Sequence, residues 1–111
     1  MIDVILEDLN CNFKSSDLVA TLTAGEMQML AIARALYHHS TIISLDEPTA
    51  SLTTKETEAL FEVVRKLKKQ GVTILYVSHR LEEIFQICDR ATISSRWRIY
   101  PDNGHCKYYK R

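Results

Sequence analysis

The chain has 111 residues, 46% of them apolar and 25% charged, with Lys plus Arg equal to Asp plus Glu at 14 each. This length and composition allow at most one globular domain with its own core. The balanced charge offers no net field for nucleic acid, an anionic membrane surface or an acidic substrate. Apolar runs such as Val72 to Val77 are too short to span a bilayer, and the Met1-Ile-Asp-Val start lacks the basic-then-apolar layout of a signal peptide, so a cytosolic location is the expectation. Cys11, Cys88 and Cys106 are odd in number and widely spaced, which fits neither a disulfide framework nor a CxxC pair; thiols are expected.

Ile2, Ile5, Leu6 and Leu9 recur at i, i+3, i+4 and i+7, which predicts an opening amphipathic helix ending at the polar stretch from Asn10 to Asp17. Thr23 and Glu26 form a capping box, and Met27 to Tyr37 continues as a helix apolar almost all round, expected to be buried on several sides. Thr41-Ile-Ile-Ser-Leu45 and Gly71-Val-Thr-Ile-Leu-Tyr-Val77 both read as buried strands. Between them, Thr53 and Glu56 make a second capping box. Leu60, Val63, Val64 and Leu67 form an apolar stripe, and Lys68, Lys69 and Gly71 signal a helix C-terminus. A strand, crossover helix and strand of these lengths predict a parallel βαβ unit with its functional ends at the strand C-termini, where Asp46, Glu47 and His79 fall. Leu81, Ile84, Phe85 and Cys88 mark a further helix, and Ala91 to Ile93 the start of another strand.

Four features follow one another: Leu22-Thr23-Ala24-Gly25-Glu26, an apolar run into Asp46-Glu47-Pro48-Thr49, then Ala50-Ser51-Leu52-Thr53, and Val77-Ser78-His79. As an ordered set this resembles the nucleotide-binding subunits of ABC transporters, whose signature sequence, Walker B strand, D-loop and switch histidine come in this order. LDEPTASLT, KETEALF and SHRLEEIFQICDR together resemble the carbohydrate-importer branch of the ribose, galactose and xylose type, and the likeness runs from about Ile5 to Ile93. The resemblance implies an α/β fold: part of a P-loop NTPase, with a parallel βαβ core preceded by helical-subdomain and signature helices. It also implies ATP and Mg²⁺ as cofactors, hydrolysis of ATP coupled to sugar import, and a place on the inner face of the membrane. The implied partners are permease subunits, a second nucleotide-binding domain and, indirectly, a sugar-binding protein, with no nucleic acid.

Chemistry suits these residue types to such work. An aspartate ending a buried strand, here Asp46, can hold Mg²⁺ because a hard cation prefers anionic oxygen. The neighbouring carboxylate can orient and deprotonate the attacking water, and by resemblance Glu47 is this general base. A histidine on the neighbouring strand end, His79, can hydrogen-bond both the base and a γ-phosphate. A hydroxyl and a glycine at a helix N-terminus present N–H groups and the positive dipole end to an anion. In the family the signature contacts ATP held by the opposite subunit, so Leu22, Thr23, Ala24, Gly25 and Glu26 would act in trans, beside Ser51, Leu52 and Thr53 of the D-loop.

The sequence departs from the family in four places. LTAGE stands for the commoner LSGGQ, Ser44 interrupts the apolar Walker B strand, and Thr53 occupies the usual D-loop aspartate position. The glycines Gly25, Gly71 and Gly104 have no spacing that makes Gly-x-x-x-x-Gly-Lys, the phosphate-binding loop. That loop precedes the signature in the family, so the expectation is a chain truncated at its N-terminus, inactive alone, with residues 1–93 as the C-terminal part of a nucleotide-binding domain. After Ile93 the likeness stops. A synonymous-codon back-translation of Ser94 to Ile99, read one base later, restores the family's Leu-Arg-Asp-Gly turn, with Trp97 forcing the glycine; residues 94–111 are therefore expected to be an out-of-frame tail. Its basic and aromatic ending, Lys107 to Arg111, then carries no nucleic-acid meaning. A second reading, a docking module for an intact ATPase or permease or a non-catalytic relict, stays open. His38 and His39 are adjacent and diverge on a helix, so they read as surface residues and not metal ligands.

Overall fold

A computed structural model of the chain describes residues 2–95 and 98–100. Trp97, Gly104, Cys106 and the ending from Lys107 to Arg111 lie outside the described residues. The described residues fall into two compact units, divided between His79 and Arg80.

The first unit opens with α1 (Ile2–Asp8), where Leu6 is buried and Leu9 follows it into the core. After a single 3₁₀ turn (Val19–Thr21) comes α2 (Ala24–Tyr37), then β1 (Ile42–Asp46), α3 (Thr54–Lys69) and β2 (Thr73–Val77). Both capping boxes form. The Glu26 N–H donates to Thr23 Oγ1 at 3.2 Å while the Thr23 N–H donates to Glu26 Oε2 at 2.8 Å, and Thr53 and Glu56 repeat the exchange at 3.3 and 2.9 Å. Each box satisfies N–H groups that the first helical turn leaves without intrahelical acceptors.

Three helices end in the same way. The residue after the C-cap adopts a left-handed conformation, at Asn10 (φ 56), His39 (φ 55) and Gly71 (φ 88). The two N–H groups that follow then return to the last turn: after α3, Gly71 N–H donates to Lys68 O at 3.0 Å and Val72 N–H to Leu67 O at 3.1 Å. This is the Schellman arrangement, which satisfies orphan carbonyls. A Cβ on Gly71 would meet nothing within 4 Å, so replacing it tests backbone conformation alone. Gly71→Ala is expected to cost about 1 kcal/mol, read as a lower urea midpoint against wild type; an unchanged midpoint would show that α3 does not end in this turn.

β1 and β2 pair in parallel, Ile42 opposite Thr73 through Asp46 opposite Val77, with α3 as the crossover. The hydrophobic stripe of α3 covers one sheet face: Leu60, Phe61, Val63, Val64 and Leu67 are buried with Ile43 and Leu45, and the Phe61 and Tyr76 rings meet edge to face at 6.5 Å. At the other end of α3, the Lys66 ammonium binds both the backbone carbonyl and the carboxylate of Asp8, the latter at 2.7 Å, tying the end of α1 to α3.

Two expectations about burial fail. Only β1 has a buried face: β1 alternates exposed and buried residues, β2 alternates exposed and half-buried ones, and Ile42, Leu75 and Val77 are all more than half exposed. α2 likewise buries only Gly25, Ile32 and Ala33, while Met27 and Tyr37 stand near half exposure. The cause is the same for both. Among the described residues of this unit one helix layer covers one face of a two-stranded sheet, so an apolar composition exceeds the surface available to bury it.

In the second unit, α4 (Leu81–Ile87) precedes an antiparallel pair, β3 (Ile93–Ser95) with β4 (Arg98–Tyr100). Leu81, Ile84 and Phe85 of the expected stripe lie on α4 and Cys88 is its C-cap, but Leu81 and Phe85 are exposed and the buried side chain is Glu83, whose carboxylate lies 3.7 Å from the Arg80 guanidinium. No described helix is long and apolar enough to cross a membrane.

Candidate nucleotide site

The parallel pairing of β1 and β2 places Asp46 opposite Val77, so the residues following both strands converge at one sheet end. Alternation along β1 puts Ser44 and Asp46 on the uncovered face, with Ile43 and Leu45 beneath. Ser44 therefore interrupts an apolar run without burying its hydroxyl. Asp46 presents an exposed carboxylate at the strand end, a donor of the type a hard divalent cation takes.

Glu47 departs from strand geometry. Its φ of 45 lies in the left-handed region, sparsely populated by residues with a side chain and costing on the order of 1 kcal/mol. Two hydrogen bonds hold it there, its N–H donating to Val77 O at 2.8 Å and its carbonyl accepting from the Ala50 N–H at 3.2 Å, and Pro48 and Thr49 beyond it are buried. The turn carries the Glu47 carboxylate across to β2. There Oε1 accepts from the His79 backbone N–H at 3.2 Å and lies 2.9 Å from His79 Nδ1. Facing a carboxylate oxygen, Nδ1 carries the proton, and this fixes the ring's orientation. The imidazole itself remains accessible, 79% exposed against 36% for the Glu47 side chain. Such a pair can accept a proton from water at Glu47 while the histidine offers a second polar contact to the same ligand.

The segment from Leu22 to Glu26 lies elsewhere in the unit. Thr23 caps α2, Ala24 and Gly25 form its first turn, Leu22 precedes the cap and Glu26 closes the capping box. Ser51 and Leu52 lead into Thr53, the cap of α3, with the Leu52 N–H donating to Thr49 O at 3.1 Å. The two N-termini meet across one side chain. Glu56 Oε2 accepts from the N–H and hydroxyl of Thr53, both at 2.9 Å, while Oε1 lies against the backbone of Gly25, where an added Cβ would stand only 2.7 Å away. Hydrogen bonds from Thr53, then from the Thr23 hydroxyl and the Gly25 N–H, hold the Glu56 carboxyl below the usual glutamate range. Both helix starts line a cleft of about 630 Å³ that also takes in Cys11 and Lys55. Burial, with a smaller contribution from Glu26, pushes the Cys11 thiol upward, so it is a weak nucleophile there. Cys11 and Cys88 form no disulfide. His38 and His39 are exposed, and no cluster of metal-ligating side chains occurs among the described residues.

Sequence reasoning gave Glu56 one role, the cap of α3. Its second contact, with Gly25, depends on how α2 and α3 pack. The one hint in the chain is the repeated pattern Leu22-Thr-Ala-Gly-Glu26 and Leu52-Thr-Thr-Lys-Glu56.

A parallel strand–helix–strand unit with an acidic pair after one strand and a histidine after the next has the form of an α/β domain whose polar residues gather at the strand C-termini. Comparison with known proteins narrows the class. The family model described as ABC transporter matches residues 1–50. The ribose import ATP-binding protein of Clostridium perfringens is 49% identical over 90 residues, 81% of this chain and 18% of the relative. The galactose/methyl galactoside import ATP-binding protein of the same organism is 49% identical over 89 residues, 80% of this chain and 17% of the relative. Among solved structures, an ATP-binding cassette of an ABC transporter in its ADP conformation superposes with a TM-score of 0.71 at 31% identity, covering 79% of this chain and 35% of that one. A metal-chelate type transporter in an inward-facing conformation gives 0.83 at 20% identity over 91% of this chain and 41% of its own, a likeness of fold. The chain belongs to the ABC transporter family, and its fold is that of part of an ABC ATPase cassette. It spans under a fifth of the length of these curated relatives.

Proposed function

We propose that the chain is part of the ATP-binding and ATP-hydrolysing subunit that powers sugar import through an ABC transporter, with residues 1–93 as its cassette portion. The observation that carries this reading is the Glu47–His79 pair at the paired strand ends beside Asp46, in a sequence 49% identical to ribose and galactose import ATP-binding proteins. In this reading Asp46 holds Mg²⁺, which when bound neutralises phosphate charge. Glu47 orients water and takes its proton as the oxygen bonds to the terminal phosphorus, while the bond from that phosphorus to the bridging oxygen breaks and ADP leaves. His79 fixes the Glu47 carboxylate and offers its exposed ring to the terminal phosphate. Leu22 to Glu26 contact ATP carried by a second cassette, with Ser51, Leu52 and Thr53 at the same interface. The partners are that second cassette, membrane permease subunits and a sugar-binding protein, with assembly on the inner face of the membrane.

In P-loop enzymes much of the phosphate binding comes from the loop's Lys and backbone N–H groups, and these 111 residues hold no such motif. The purified chain alone is therefore expected to show no Glu47-dependent ATP turnover. A chimaera tests the function itself: residues 5–93 replace the matching segment of the ribose import ATP-binding protein, and ATP hydrolysis is measured with its permease. The expected result is ATPase activity within about tenfold of the parent, a loss of no more than the transition-state energy of one ordinary contact. A folded chimaera that assembles with the permease and hydrolyses nothing would sink the reading.

A further inference from the structure

The loop from Asp46 to Thr53 carries Glu47 to His79, and its buried residues are two neighbours, Pro48 and Thr49. Glu47 and Leu52 are half-buried, while Asp46, Ala50, Ser51 and Thr53 are exposed. Thr49, 1% exposed, is thus the one polar side chain of the loop sealed from water. A hydroxyl at that depth is hydrogen-bonded within the protein, and water does not replace the bond if it is lost. Thr49 also joins two consecutive turns. It stands inside the turn closed by the Ala50 N–H donating to Glu47 O at 3.2 Å, and its own carbonyl opens the next, accepting from the Leu52 N–H at 3.1 Å.

Nothing local favours the backbone of Glu47. Its φ of 45 is left-handed, and the proline after it biases that position toward extended backbone. Such a conformation persists only where surrounding contacts over-determine it. β2 holds one side, through Val77 O and the Glu47 N–H at 2.8 Å. On the other side the loop reaches the interior at Pro48, which has no N–H to donate, and at Thr49.

We propose that Thr49 is a positioning residue: its buried hydroxyl fixes the double turn and so keeps the Glu47 carboxylate on His79. Without that hydroxyl, Glu47 relaxes toward extended backbone and its Oε1 leaves the His79 N–H and Nδ1, now 3.2 and 2.9 Å away. The consequence for turnover rests on the reading of Glu47 as the general base. The consequence for the Glu47–His79 pair does not.

The test sets a hydroxyl against its absence at matched size in the ¹⁵N-labelled 111-residue chain: wild type against Thr49→Val, and Thr49→Ser against Thr49→Ala should Thr49→Val fold poorly. Imidazole ¹⁵N shifts report the His79 tautomer. Nδ1–H is expected with Thr or Ser at 49, and its loss in favour of Nε2–H with Val or Ala. Gly71→Ala weakens the fold away from the site and should keep Nδ1–H, which separates positioning from general destabilisation. Retention of Nδ1–H in a folded Thr49→Val or Thr49→Ala, or its loss in Thr49→Ser or Gly71→Ala, overturns the assignment and leaves the ATPase reading standing. In the chimaera, Thr49→Val should lower kcat by about 10 to 10²-fold with the KM for ATP unmoved, the scale of a small misplacement. Loss of Nδ1–H with kcat unchanged would uphold Thr49 as the anchor of the pair and remove Glu47 as the base.

Discussion

In a complete cassette carrying residues 5–93, Glu47→Gln is expected to lower kcat for ATP hydrolysis by about 10² to 10⁴-fold, the range for loss of a positioned general base. Gln is nearly isosteric, and its amide oxygen can still accept from the His79 N–H, so the left-handed turn at Glu47 and the contacts at 2.8 and 3.2 Å that hold it should persist. What is lost is basicity. The KM for ATP should therefore move little, because in the proposed mechanism the carboxylate acts on water and not on the nucleotide. Paired kcat and KM measurements decide the matter. A large rise in KM with unchanged kcat would assign Glu47 to ATP binding and remove it as the base.

Leu60→Ala is expected to destabilise the chain by about 2–5 kcal/mol. Leu60 is completely buried in the centre of the α3 stripe, among Phe61, Val64 and Leu67 above the Ile43 and Leu45 face of β1. Whole domains are stable by only about 5–15 kcal/mol, and a unit with one sheet face uncovered has less core than most to absorb a cavity. With a urea m-value of about 1–3 kcal/mol/M, the midpoint should fall by roughly 1–3 M or the variant should fail to fold cooperatively. Glu58→Ala, on the exposed side of the same helix, should leave the midpoint within about 0.5 kcal/mol of wild type and serves as the comparison. If Leu60→Ala proved as mild as Glu58→Ala, the packing of α3 on the sheet would be wrong.

Local features were readable from the chain. Thr23 with Glu26 and Thr53 with Glu56 announce two helix starts, and the 3.6-residue stripe from Leu60 to Leu67 announces which side of α3 is buried. These depend on residues within a turn or two, where propensity and hydrogen-bonding chemistry act directly. The order of Asp46-Glu47, Thr53 and Val77-Ser78-His79 was enough to suggest the family, since parallel βαβ geometry brings successive strand ends together whatever the loops do. Burial was misjudged for both strands and for α2 because apolar composition states a demand for burial, while supply is set by how many layers the chain provides.

The sequence by itself determined the helix caps, the parallel strand–helix–strand order and the identity of the acidic and histidine residues at the strand ends, because each is written in short-range pattern. Tertiary structure alone decided that Glu47 turns through a left-handed backbone to reach His79, and that Glu56 joins the starts of α2 and α3. Both contacts link residues about thirty positions apart, and only the packing of α3 on its sheet and against α2 sets their distance.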